Sequence, residues 1–171
     1  MSLGPDVQQF VESATAFCDI VEHCPVLTMH EFVRRVHRVL PTLYAAALQL
    51  PQVQVDNAEI PPSTLTYSQV QQLRHEVASK LGQYNLYWEA LHLFALIDDK
   101  ELGVGEIADD LVDVYCDLKF GLAAFDTGST QRMQEAVWQW KFEFASHWGN
   151  HLVDALRVLH RLVISTLTDA S

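Results

Sequence analysis

The sequence predicts an all-α fold, a single-domain helical bundle of about six helices spanning residues 1–171. Three observations carry this expectation. Breaker residues are sparse, with seven glycines and six prolines in 171 residues, and most lie between periodic segments. Those segments repeat their apolar residues at helical spacing. No segment alternates apolar and polar residues over a strand length with turn signals at both ends.

The first segment, Asp6 to Glu22, lines Val7, Phe10, Val11, Ala14, Phe17, Cys18 and Val21 along one stripe. Pro25 in "CPVLT" breaks the chain. Thr28 and Glu31 then have the spacing of a capping box, which satisfies the first free amides of a second helix. That helix carries Phe32, Val33, Val36, Val39, Leu40, Leu43, Tyr44 and Ala47, and Pro41 inside it is expected to kink or restart it. Leu50 to Thr66 holds three prolines and no helical period, so it reads as a long connection and a place for a lid or flexible arm. A third helix is expected from Tyr67 to Leu81, stopped at Gly82, and a fourth from Asn85 to Leu96. The fifth spans Gly105 to Phe125 and closes at "DTGST". The sixth runs from Thr130 to Thr166, with Gly149 able to bend it at a cost of about 1 kcal/mol relative to alanine.

Composition excludes several classes of function. A hydrophobic fraction of 49% excludes a disordered chain. A net charge of −11 repels phosphate backbones and anionic lipid, so nucleic acid and membrane surfaces are poor partners. Cys18, Cys24 and Cys116 are too few and too oddly numbered for a disulfide framework. No signal-like leader and no apolar run of about 20 residues is present, which points to a cytoplasmic, reduced protein.

The chemistry is concentrated late in the chain. "EIADDLVDVYCDLKFGL" carries Glu106, Asp109, Asp110, Asp113 and Asp117. On a helical wheel Ile107, Leu111, Val114, Leu118, Leu122 and Phe125 form its core stripe. Glu106, Asp110, Asp113 and Asp117 form an acidic ridge on one flank of that stripe. In the sixth segment His151 is central on an apolar face, with His147 and Glu143 on the edge of that face. Two helices joined by a short turn pair antiparallel, so facing residues should have numbers summing to roughly 256. Asp113 is then level with Glu143, Asp109 and Asp110 with His147, and Glu106 with His151. His151 is expected to be largely buried and to bond a carboxylate of the fifth helix, Glu106 or Asp110.

This cluster has two readings. In one, Glu106, Asp110, Asp113, His147 and His151 hold a divalent metal, as facing helices of bundles do. In the other, a histidine on an apolar face simply bonds a carboxylate that satisfies and orients its ring. Local motifs are weak. "DDLVD" has the DDxxD form that isoprenoid synthases use for magnesium diphosphate, but the second magnesium motif is missing. "EIAD" fits the ExxD half of the all-α nucleotide pyrophosphohydrolases, but the ExxE half is missing. "EALH", Glu89 to His92, is one ExxH where a di-iron bundle needs two. Trp138, Leu152 and Leu156 form a second apolar ridge on the last helix, which suits either a central helix or a homodimer interface.

The strings "DVYCDLKFGL" and "HWGNHLVDALRVLH", with "FVRRVHRVLPTLYAAALQLP" upstream, resemble the DUF5063 family of uncharacterised bacterial proteins. The residues that carry the likeness are Asp113, Tyr115, Asp117, Lys119, Trp148, Gly149 and His151. The resemblance implies an all-helical bacterial protein and brings no reaction with it. The expected function is a non-enzymatic module that binds a partner or itself. The competing expectation is a metal-dependent hydrolase built on the Asp/Glu/His cluster.

Overall fold

The computed structural model describes residues 4–55, 65–90 and 102–168. Among the described residues are six α-helices: α1 (Pro5–Glu22), α2 (Met29–Leu48), α3 (Tyr67–Leu81), α4 (Ile107–Phe125), α5 (Thr130–Ser146) and α6 (Trp148–Thr168). Two strands, β1 (Leu86–Ala90) and β2 (Leu102–Glu106), pair antiparallel between α3 and α4. The fold is therefore mostly helical, with a small sheet that the sequence pattern did not suggest.

The helix starts follow local chemistry. Thr28 Oγ1 accepts from the Glu31 amide, and the Glu31 carboxylate accepts from the Thr28 amide, which is the expected capping box. Thr66 and Gln69 build a second such box at the start of α3. α2 runs through Pro41 as one helix instead of restarting there. Pro41 is exposed, so the His37 carbonyl that loses its amide partner is on the side where water can reach it.

Helix α4 is the centre of the packing. It touches α1, α3, α5 and α6. Its stripe of Ile107, Leu111, Val114 and Leu118 is fully buried, together with Phe10 and Phe17 of α1 and Trp140 of α5. Tyr115 and Lys119 of α4 both reach Glu22 at the end of α1, at 2.9 and 2.6 Å. Cys18 and Cys24 are buried in the core, and burial pushes the Cys18 thiol up to about 12. Among the described residues no helix is long and apolar enough to cross a membrane.

Three expectations need correction. The segment expected as a fourth helix begins as strand β1, and residues 91–96 lie outside the described residues. "LYWEA" suits a strand as well as a helix, and it extends because "LGVGE", rich in glycine, lies alongside it. The sixth segment is two helices, broken at His147, whose backbone sits at φ −143° and ψ −88°. Glycine is required there, because a Cβ on Gly149 would lie 2.2 Å from the Phe144 carbonyl oxygen. The break also removes the second apolar ridge: Trp138 stays on α5, while Leu152 is fully buried and Leu156 partly buried on α6. Of the connection expected at residues 50–66, residues 56–64 lie outside the described residues, and Leu50 is buried against the core.

Trp140 sets how closely α4 and α5 approach. Its indole lies on Gly121, where a Cβ would be 2.1 Å from Nε1, and Nε1–H donates to the Leu118 carbonyl at 3.3 Å. A Gly121→Ala substitution must push this fully buried ring out of place. We expect it to destabilise the fold by about 1–3 kcal/mol in urea unfolding, although alanine is the better helix former.

Candidate metal centre

The site lies where the break between α5 and α6 meets the acidic flank of α4. His147 occupies the break, and His151 is in the first turn of α6. Their rings are 4.9 Å apart, edge to face. His147 Nδ1 is 2.7 Å from Asp117 Oδ2, and His151 Nδ1 is 2.8 Å from Asp110 Oδ1. His151 Nε2 faces Asp113 Oδ2 at 3.6 Å. One ligand atom from each of Asp113, His147 and His151 lies within 4.8 Å of the other two.

The direction of the hydrogen bonds matters. A carboxylate only accepts, so each Nδ1 carries the proton and donates. In the neutral imidazole each Nε2 then keeps its lone pair, which is the arrangement of carboxylate–histidine–metal groups. Asp110 is held firmly for this role. It is 6% exposed, and its second oxygen accepts from Tyr87 Oη at 2.7 Å. The Asp110 hydrogen bond raises the His151 pKa against the opposing effect of burial, with help from the charges of Asp110, Asp113 and Asp109. Burial and the nearby Asp109 raise the Asp113 carboxyl, while His151, Arg74 and His147 pull it down.

The remaining acidic residues are used differently. Arg74 of α3 pairs with Asp109 at 2.5 Å and reaches Asp113 at 3.4 Å. Glu106 accepts from the Asn85 side chain at 3.3 Å and lines the same cleft as His151. Asn85 also caps α4, accepting the Ala108 amide on its side chain and the Ile107 amide on its carbonyl. Glu143 accepts from Gln139 on one oxygen, and burial raises its pKa. Its other oxygen is buried without a hydrogen-bond partner among the described residues. A polar cleft of about 320 Å³ opens beside His151, bounded by Arg74, Tyr87, Asp109, Asn150 and Asp154.

The expected antiparallel register holds roughly as far as Trp140, which meets Leu118 and Gly121, and fails at the break. His147 meets Asp117 instead of Asp109 or Asp110, a slip of about two turns. His151 meets Asp110, one of its two expected partners, and faces Asp113, but its side chain is 28% exposed instead of largely buried. The break at His147 re-aims α6 relative to α5. Asp110, Asp113, Asp117, His147 and His151 come together; Glu106 and Glu143 lie at the margins. Sequence reasoning missed Tyr87, Asn85 and Arg74. They come from separate segments and show no spacing relation to the cluster.

Comparison with known proteins adds family membership. The chain is similar to the crystal structure of protein BF1032 from Bacteroides fragilis, with 28% sequence identity, a TM-score of 0.79 and 92% of each chain covered. Comparison with curated protein sequences found no match. The family described as domain of unknown function DUF5063 matches residues 2–165, nearly the whole length. The chain belongs to the DUF5063 family.

Proposed function

We propose that this protein binds a divalent transition-metal ion through Asp113, His147 and His151, and that the ion serves hydrolytic chemistry. The observation that carries this reading is the pair of imidazoles whose Nδ1 atoms are both held by carboxylates. Side by side with Asp113, they offer a mixed nitrogen and oxygen ligand set. Such a set suits zinc, iron or manganese better than calcium or magnesium. Asp110 and Asp117 are orienting partners in this reading, and Glu106 is not a ligand. Three protein ligands leave positions open, where an ion acts as a Lewis acid and lowers the pKa of bound water. The cleft beside His151 is the space for a substrate.

A second reading, association through an apolar surface, has its own support. The outer face of the two-stranded ribbon carries Leu86, Trp88, Leu102 and Val104, each more than half exposed. On α5, Phe142 is exposed and stacks on Trp138 with centroids 5.3 Å apart. Contiguous apolar patches of this kind mark interaction surfaces. The surface for a homodimer is in this reading the ribbon, not the last helix.

Added Zn²⁺ or Mn²⁺ should raise the Tm of protein purified free of metal, with a concentration dependence. His147→Ala and Asp113→Ala should each abolish that rise. Unchanged melting across all added ions would leave the histidines as a structural pair.

The pH response separates the two roles of His151. Its folded pKa is raised, so the stabilisation from the Asp110 pair is full below the unfolded value and is lost as pH rises through the folded one. In metal-free protein, His151→Gln should therefore destabilise more near about pH 6 than near about pH 9. The metal-induced rise in Tm should show the opposite trend, because protons compete with the ion for the imidazole.

For the association reading, the wild type should sediment as a dimer at high concentration. Trp88→Glu should sediment as a monomer with unchanged helical content. A monomeric wild type removes this reading and leaves the metal reading untouched.

A further inference from the structure

We propose that Tyr87 is a positioning residue for the metal centre, acting through Asp110 on His151, so that the β-ribbon and the bound ion are energetically linked. The inference rests on the metal reading above and adds a regulatory element to it. The proposed ligands come from α4, the break at His147 and α6, yet the carboxylate that orients His151 has a second partner on β1.

The geometry is a continuous chain of hydrogen bonds. Tyr87 Oη donates to Asp110 Oδ2 at 2.7 Å, and Asp110 Oδ1 accepts from His151 Nδ1 at 2.8 Å. Each Asp110 oxygen thus has a fixed donor, and the carboxylate has little freedom to rotate. Burial and the neighbouring Asp110 charge push the Tyr87 hydroxyl pKa far up, so the group stays protonated and remains a donor.

The tyrosine ring is itself placed by the sheet. Tyr87 stands directly across the strand pair from Gly105. A Cβ on Gly105 would lie 2.3 Å from the ring Cζ and 2.6 Å from the hydroxyl oxygen. Only glycine lets the ring lie flat across β2 and reach Asp110. The Arg157 guanidinium of α6 lies over the ring, 5.6 Å from its centroid. The same strand carries Trp88 on the opposite, outer face. Anything that shifts the ribbon shifts the Tyr87 hydroxyl, and through it the imidazole.

Orienting partners of this kind are worth about 10–100-fold in metal affinity. Tyr87 acts one step further out, so the low end applies. Co²⁺ titration followed by visible absorption should show Tyr87→Phe binding about tenfold more weakly than wild type. This variant keeps the ring and the strand pair and removes one hydroxyl. Gly105→Ala, which displaces the ring, should weaken binding at least as much. Trp88→Ala, on the outer face of the same strand, should bind within about twofold of wild type, which separates positioning from general loosening of the ribbon.

A second readout needs no metal. In metal-free protein, the His151 Nδ1–H resonance should be sharp and far downfield in wild type. It should shift or broaden in Tyr87→Phe. A Tyr87→Phe affinity within twofold of wild type overturns the proposal, and so does an unmoved His151 resonance. Wild-type protein that takes up no Co²⁺ overturns the metal reading, and with it the linkage. The metal-free resonance still reports whether Tyr87 holds His151, so the two failures remain distinct.

Discussion

The turn from α5 into α6 rests on one close approach. The Phe144 carbonyl sits where a side chain on residue 149 would be, so only glycine fits. With that contact allowed, Trp148 swings fully into the core and its indole N–H donates to the Trp140 carbonyl at 3.1 Å. Two large aromatic side chains are thereby buried at one junction, which outweighs the cost of interrupting the helix. The residues on either side follow from this. His147 is expelled from regular helix, Trp148 begins a new one with His151 in its first turn, and both histidines turn toward the acidic flank of α4.

That flank would be unfavourable without partners. Asp109, Asp110, Asp113 and Asp117 are all on one side of one helix. Each has a compensating group from a different element: Arg74 of α3 for Asp109 and Asp113, His151 of α6 for Asp110, and His147 at the break for Asp117. The neutralisation is incomplete at physiological pH, because an imidazole is a weaker counter-charge than a guanidinium. A cation placed between Asp113 and the two imidazoles would complete it.

The ribbon between α3 and α4 divides its labour by face. Its inner face presents Tyr87 to Asp110 over the bare backbone of Gly105. Its outer face is apolar and exposed. Asn85, at the foot of β1, is tied to the first turn of α4 through two hydrogen bonds and to Glu106 at the end of β2 through a third. The ribbon is thus attached at its base to the helix that carries the site, and near its middle to the site itself.

Much of this was legible in the residues themselves. Apolar periodicity marked α1, α2, α4 and the one helical run that α5 and α6 divide between them, the capping box marked the start of α2, and the acidic ridge of α4 was visible on a helical wheel. Those features depend on neighbours within one or two turns, which is the range over which sequence spacing carries information. Strand β1 was not legible, because an aromatic apolar run suits a helix or a strand until a partner strand supplies its hydrogen bonds. The pairing of His151 with Asp110 was legible as one of two options, because a histidine central on an apolar face must find a carboxylate on the neighbouring helix. The pairing of His147 with Asp117 was not legible. It follows from the break, which depends on how Trp148 and Trp140 pack and not on spacing along the chain. The sequence by itself determined which residue types could form a site and on which helix the carboxylates lie. Only the tertiary structure decided that His151 takes Asp110 over Glu106 and that His147 meets Asp117, because close packing of a few large side chains selects one helix direction among those the backbone allows.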